Sequence, residues 1–441
     1  MRKFWIGYWF KNWNFGYKIG YAILITGSRT YFKKFKFHGK EKIPNNAGII
    51  YAVNHQNAFL DPITIASQSN TALNFLARAD IFKNNIANKL LRSFNMLPIY
   101  RQRDGINTIE KNEETFIESH KILKNKESLV IFPEGNHNFI KMLRPLKKGL
   151  ARIAFGTLSR YGKETPLYII PVGIDYDNHF NMNSEILLSV GNPIKVSDYY
   201  TEFEENSAEA INKLTLKIGD DLESLIINIR DQENYDELYF LLHRLPLKED
   251  NAELERKFDL RKEKLIKSEY LKKNNPKEYE NLISDLKSIK SFSISNKIRP
   301  YLFNNLPLSY LRLVILTLIL LLLSPFHIMG LFTNYLPYKI PVWFVENKIK
   351  DKHFHSSLKQ AIGVVLFIFY WLLIATLLTI FKNWSYGLVF LLIAPVIAMI
   401  NFRYWILLIK IKGGWNYKSA SKNELFDTIK ETFDRVQNRF N

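Results

Sequence analysis

The sequence predicts an α/β domain on a mixed, largely parallel sheet flanked by helices, with an N-terminal interfacial helix region before it and a helical, membrane-embedded region after it. Three observations carry this expectation. Short buried-type strands alternate with helical segments from residue 35 to about residue 200. Basic and aromatic residues crowd the first 34 positions. Beyond residue 300 lie apolar runs longer than the ~20 residues that a helix needs to cross a hydrocarbon core. The expected divisions are 1–34, 35–205, 206–300 and 301–441.

The chain has 441 residues, 47% of them hydrophobic, which suffices for one large domain or two ordinary ones. It has no Cys, which excludes a disulfide framework, a thiol nucleophile and a cysteine-ligated metal. Net charge is +19, unevenly spread: residues 1–40 hold nine Lys/Arg and no acid, whereas residues 201–300 hold 18 Lys/Arg against 21 Asp/Glu. The basic arm also carries Phe4, Trp5, Tyr8, Trp9, Phe10, Trp13, Phe15, Tyr17 and Tyr21. Such interleaving suits single-stranded nucleic acid or an anionic membrane surface. The apolar C-terminal third selects the membrane, and no nucleic-acid partner is expected. The arm lacks the compact h-region and cleavage site of a signal peptide. Residues 4–32 read as an amphipathic interfacial helix pair, with a packed aromatic helix edge as the alternative.

Strands are expected at Phe35–His38, Gly48–Val53, Ala72–Ala77, Met96 onward, Ser128–Phe132, Leu167–Ile174 and Ile186–Val190. Helices are expected at Ile63–Gln68, Asn84–Phe94, Ile106–Lys124 and Leu150–Leu158. His55 follows the second strand, and Asp61 comes six residues later. The carboxyl ends of strands in an α/β sheet are where binding crevices form. His takes and returns a proton near neutral pH, and an Asp can orient its ring. Alone, the pair reads equally as a turn residue and a helix cap. Arg101 and Arg103 share one face at the end of the Met96 strand, as a phosphate clamp or a solvated pair. Pro133-Glu134-Gly135-Asn136-His137 forces a sharp turn whose amides can point toward an anion. Lys147 and Lys148 follow it.

From Ser207 to Asn296 the spacing is helical, with stripes at Leu214, Ile218, Leu222, Leu225, Ile226 and Ile229 and again from Leu238 to Leu245. No catalytic cluster falls there, and a helical bundle or lid is expected. The apolar segments are 308–332, 361–381 and 386–409. Lys339, Lys348, Lys350, Lys352 and Lys359 lie between the first two, and Lys410, Lys412, Lys418 and Lys422 follow the last. Positive-inside bias places both stretches on the cytoplasmic face and makes 361–409 a two-span hairpin. Residues 308–332 then either span or re-enter, with Ser324-Pro325 supplying the bend for re-entry.

The ordered set Asn54-His55 with Asp61, Leu97-Pro98-Ile99-Tyr100-Arg101, Phe132-Pro133-Glu134-Gly135 and Ile170-Pro171-Val172-Gly173-Ile174 resembles the four blocks of the glycerolipid acyltransferases. These membrane enzymes acylate glycerol 3-phosphate or lysophosphatidate in phospholipid synthesis. The resemblance covers residues 35–200. It implies an integral membrane acyltransferase with a cytoplasmic catalytic domain. His55 would be general base for the glycerol hydroxyl and Asp61 its partner. Arg101, Glu134 and Gly135 would bind the acceptor's phosphate end, with Arg103 and Asn136 beside them, and Pro171 would shape the acyl-donor side. It implies acyl-CoA or acyl-carrier protein as co-substrate, and no metal or other cofactor.

Three departures stand out. Five residues, Gln56 to Leu60, separate His55 from Asp61 where the family usually has four. That spacing followed by Asp-Pro resembles the glycerol 3-phosphate/dihydroxyacetone phosphate acyltransferase branch. The usual Thr-Arg after the third block is Asn136-His137 here, a loss of one cation that Arg103, Lys147 or Lys148 would replace. Asn95 stands where Gly usually opens the second block. The competing expectation is a catalytically inert membrane scaffold or lipid-binding protein that retains the fold. A lipid esterase lacks support, because the chain has no Gly-x-Ser-x-Gly elbow.

Overall fold

The computed structural model describes residues 17–18, 20–22, 25, 27, 32–69, 71–100, 108–178, 183–249, 251–304, 309–349 and 355–440. The chain divides into two compact units, Met1–Asn228 and Ile229–Asn441.

The first unit is built on an eight-stranded sheet: β1 Lys34–His38, β2 Gly48–Val53, β3 Leu73–Arg78, β4 Met96–Ile99, β5 Ser128–Ile131, β6 Leu167–Tyr176, β7 Glu185–Val190 and β8 Ile194–Lys195. Their order is β1-β7-β6-β2-β5-β3-β4, with β8 on β6. The five strands β6, β2, β5, β3 and β4 run parallel, while β7 and β8 pair antiparallel with β6. Helices α1 Leu60–Gln68, α2 Asn85–Ser93, α3 Thr108–Lys124 and α4 Gly149–Tyr161 connect them. The two-residue β8 was not expected, since two residues show no periodicity.

Every residue of β2 is buried, as a strand covered on both faces requires. Alternate side chains point to opposite faces and so build two cores. Ile50 and Ala52 join Leu129, Ile131 and Ile169 under α4 and helix α5, Ser207–Ser224. Ile49, Tyr51 and Val53 join Val130, Ile170, Val172 and Ile174 under Leu60 and Ile65 of α1. Helix α5 buries Ala210, Leu214, Ile218 and Leu222 in the first of these cores. The expected division at residue 205 placed this segment with the charged helical region, but its stripe covers the sheet. Its successor Leu225 comes so close to β6 that a Cβ on Gly173 would lie 2.3 Å from the Leu225 carbonyl oxygen. Only glycine fits there.

The expected interfacial pair at 4–32 lies mostly outside the described residues. Within it, Tyr17 is buried and its hydroxyl accepts the Leu73 amide at 3.0 Å, while the Tyr21 hydroxyl donates to Ser69 O.

His120 on α3 is packed against Gly156 of α4, with both ring nitrogens buried and unpartnered. Burial, and secondarily the charge of Arg160, pushes its imidazole down to about 4. A group held below its unfolded value costs stability when protonated. The fold should therefore lose stability as pH falls from about 6.5 toward 4. His120→Leu should flatten that stretch of a denaturation-versus-pH series.

The second unit contains helices α6 Tyr235–His243, α7 Leu254–Asn274 and α8 Pro276–Ser295, which pack with a C-terminal helix, Phe426–Phe440. Between them lie three helices long and apolar enough to cross a membrane: α9 Tyr310–Lys348, α10 His355–Phe381 and α11 Trp384–Ala420.

At Ser324-Pro325, where a bend for re-entry is expected, α9 stays a single helix, and it continues through Pro325, Pro337 and Pro341. The backbone groups that a helical proline frees find other partners. The Ser324 hydroxyl donates to Leu321 O at 2.7 Å, four residues before Pro325. The Trp371 indole donates to Thr333 O at 3.3 Å, four residues before Pro337.

Each of the three helices divides its length between the other two. The first half of α9 meets the second half of α11, at Leu313 with Gly414, and their midpoints meet at Gly330 with Asn401. Its second half meets α10, where Lys359 pairs with Glu346. The far end of α10 meets the start of α11, with Ala375 and Thr379 against Gly387. The apolar run consequently begins and ends in one place: the Tyr310 and Trp415 rings lie 6.2 Å apart between centroids, and the Asn416 side-chain amide donates to Lys297 O at 3.0 Å. Three straight crossings would separate these ends by a bilayer thickness.

Candidate active site

The candidate site lies at the carboxyl ends of β2, β5 and β6, the edge of a parallel sheet where crevices form. Asn54 leaves β2 and locks onto β6. Its side-chain amide donates to Ile174 O at 3.1 Å, and its carbonyl accepts the Ile174 amide at 2.6 Å. The next residue, His55, is thereby aimed from a fixed backbone. Its Nδ1 lies 2.9 Å from Asp61 Oδ2, so the pair does meet across five intervening residues.

The extra residue is absorbed by Asp61 itself. From the first turn of α1 it accepts the Gln56 amide at 2.7 Å and the Asn57 amide at 2.8 Å, both at Oδ2. Asn57 in turn accepts the Phe59 and Leu60 amides, turning the chain into α1. The residues that lengthen the spacing are therefore wrapped around the carboxylate. Asp61 is fully buried, and Tyr176, at the end of β6, donates its hydroxyl to the other oxygen at 2.7 Å. With Oδ2 already accepting two amides, Nδ1 carries the proton in the neutral ring and Nε2 is left as the basic nitrogen. The ring stacks on Phe132 at 4.1 Å between centroids and meets His137 edge-on at 5.5 Å.

Glu134 braces this arrangement from β5. Its Oε1 accepts the His55 amide at 2.6 Å, and Oε2 accepts Arg144 Nε at 2.9 Å and the Arg144 amide at 3.3 Å. Burial pushes its carboxyl up, against the His55 amide and the Arg144 charge, which hold it down. Both of its oxygens are thus engaged with protein donors. Gly135 takes φ +71, a left-handed value that suits glycine, and returns its amide to Phe132 O at 3.0 Å. That amide closes the turn rather than facing outward. Gly135, Asn136, Lys147 and Lys148 are exposed. Pro171 is buried inside β6 opposite Ala52, and its carbonyl accepts the Gly191 amide at 2.8 Å.

The structure thus brings His55, Asp61 and Glu134 together and leaves Pro171 in the sheet. Arg101 and Arg103 lie outside the described residues. Sequence reasoning missed Tyr176, which shares a strand face with Ile174 two residues past the fourth block, and Arg144, which stands ten residues past Glu134.

Comparison with known proteins finds acyltransferases. Residues 34–175 match the family model described as Acyltransferase. Glycerol-3-phosphate O-acyltransferase 2 of Saccharomyces cerevisiae is 31% identical over 123 residues, 28% of this chain and 16% of that protein. Glycerol-3-phosphate O-acyltransferase 1 of the same yeast is 28% identical over 116 residues, 25% of this chain and 15% of that protein. An uncharacterized acyltransferase of Schizosaccharomyces pombe is 25% identical over 213 residues, 47% of this chain and 28% of that protein. The matched stretch therefore spans less than a third of these relatives' own length. Among solved structures, the 1-acyl-sn-glycerophosphate acyltransferase PlsC of Thermotoga maritima matches at TM-score 0.35 and 19% identity, over 47% of this chain and 81% of that one. Residues 34–175 therefore match the acyltransferase family, and two of the curated relatives that carry the match are named glycerol-3-phosphate O-acyltransferases.

Proposed function

We propose that the protein is an integral membrane O-acyltransferase that moves a fatty acyl group from acyl-CoA or acyl-carrier protein to glycerol 3-phosphate. The observation that carries the chemistry is the 2.9 Å contact between His55 Nδ1 and Asp61 Oδ2, which leaves Nε2 as the base. An alcohol is a poor nucleophile at neutral pH and needs such a base. In the proposed step, Nε2 takes the acceptor's hydroxyl proton as the oxygen attacks the thioester carbonyl. Collapse of the tetrahedral adduct expels the thiolate, and the imidazolium returns the proton to sulfur. Asp61 holds the ring and balances its charge. The thioester is already activated, so this step calls for no metal or further cofactor. The five-residue spacing and the names of the two yeast relatives support glycerol 3-phosphate over its 1-acyl derivative.

A radiolabelled acyl-CoA assay across glycerol 3-phosphate, dihydroxyacetone phosphate and lysophosphatidate tests the reading. Fastest labelling of glycerol 3-phosphate is expected. Labelling of none of the three would favour the inert scaffold. Arg101→Ala should mainly raise the acceptor KM, through loss of roughly 2–3 kcal/mol of charge-assisted hydrogen bonding.

We place the catalytic domain on the cytoplasmic face. The bases for this are the lysines of 334–360 and 410–422 and the shared entry and exit of the apolar run at Tyr310 and Trp415. The turn at Lys382-Asn383 then faces the other side. Cysteines introduced at Ser385 and Asn416 should react with an impermeant reagent from opposite sides. Reaction of both from one side would overturn this topology.

A further inference from the structure

We infer that Tyr176 is a positioning residue for the His55–Asp61 pair, held in place by a buried Lys141–Asp175 ion pair. The inference rests on the proposed general-base role of His55. Asp61 Oδ2 is shared by His55 Nδ1 and the Gln56 and Asn57 amides, so only Oδ1 remains to fix the rotation of the carboxylate. The Tyr176 hydroxyl donates to that atom at 2.7 Å. Both groups are fully buried, so no bulk water competes for the bond.

Tyr176 is itself unusually well fixed. Its ring packs against Phe32 at 6.2 Å between centroids, and on β6 it faces the same core as Ile174. Its carbonyl accepts Lys141 Nζ at 2.7 Å. That Lys is wholly buried, and the same Nζ donates to the Asp175 carboxylate beside it. A buried ammonium is costly unless paired. Here its charge is met by Asp175, and the pair ties the loop after the Glu134 turn to the end of β6. Alternation along the strand sends Asp175 to one face and Tyr176 to the other. One cation can therefore grip the strand backbone while the neighbouring hydroxyl reaches the catalytic carboxylate.

The hydroxyl has two effects on the pair. It sets the carboxylate plane, and hence the direction in which Nε2 points. It also draws charge from the carboxylate, because hydrogen bonding favours the charged form and spreads it. Without it, the carboxylate is free to turn about its bond and the ring turns with it. Among the described residues, the other ionisable groups around the pair are Glu134 from the β5 turn, Arg144 from the loop beyond it, His137 at 5.5 Å from the His55 ring, and the Lys141–Asp175 pair. Tyr176→Phe alters none of them.

The test measures Tyr176→Phe in the full-length, membrane-embedded protein by steady-state kinetics, with thermal melting as the check on folding. The ring is retained, so the melting temperature should move little. The expected result has two parts: kcat lower by about tenfold, and KM for both substrates unchanged. The same substitution in an Asp61→Asn background should then have little further effect, because Tyr176 acts through Asp61. An unchanged kcat would overturn the inference, as would a tenfold loss that persists undiminished beside Asp61→Asn. If instead His55→Ala kept full activity, the general-base reading would fail first.

Discussion

His55→Ala should lower kcat for acyl transfer by about 10²–10⁴-fold, the usual range for loss of a positioned base, while membrane insertion and fold are retained. The fold should survive because the backbone of residue 55, not its ring, is built into the structure. The His55 amide donates to Glu134, its carbonyl accepts the Asn138 amide at 3.2 Å, and Asn54 is clamped to β6. Alanine keeps all of these. The ring stacks on Phe132 but is one partly exposed face of that contact, with 13% of its side chain accessible. Its removal should cost far less stability than activity. Initial rates on the purified variant, set beside its melting curve, would decide the matter. A variant that kept full activity would falsify the mechanism.

Glu134→Ala should have the second-largest effect, and in a different place. The resemblance assigns Glu134 to the acceptor's phosphate end. In the structure its carboxylate ties the His55 amide to Arg144, with 3% of the side chain exposed on one side of the pair and 21% on the other. Removing the carboxylate leaves the Arg144 guanidinium without its counter-charge and the His55 amide without its acceptor. Breaking a buried pair in this way costs about 3–5 kcal/mol. The expected outcome is a large fall in stability and in kcat, with little change in acceptor KM among the molecules that remain folded. Chemical denaturation in detergent gives the first quantity and steady-state kinetics the others. A raised acceptor KM with unchanged stability would place Glu134 on the substrate instead.

Glu134 also shows how far residue patterns reach. The Phe132-Pro133-Glu134-Gly135 block marked the right turn, because Pro and Gly bracketing a strand end constrain the backbone whatever follows. What the pattern could not tell was where the carboxylate pointed. That depended on Arg144, whose place beside Glu134 is set by a loop with no periodicity. Likewise, the Ser324-Pro325 pair read as a bend. There α9 stays one helix, with the Ser324 hydroxyl on the Leu321 carbonyl that Pro325 leaves free.

The amino-acid sequence by itself determined the strand and helix pattern of the first unit, the apolar length of α9 to α11, and the identity of His55 and Asp61 as the pair to watch. Local physics suffices for these: side-chain periodicity, turn residues and the apolar length of a bilayer. Only the tertiary structure decided whether that pair meets across five residues. It does so because Asp61 gathers the Gln56 and Asn57 amides around itself. The structure alone likewise brought in Tyr176 from 115 positions away, and it gathered the two ends of the apolar run in one place. Each of these depends on contacts between segments far apart in the chain, which no local pattern records.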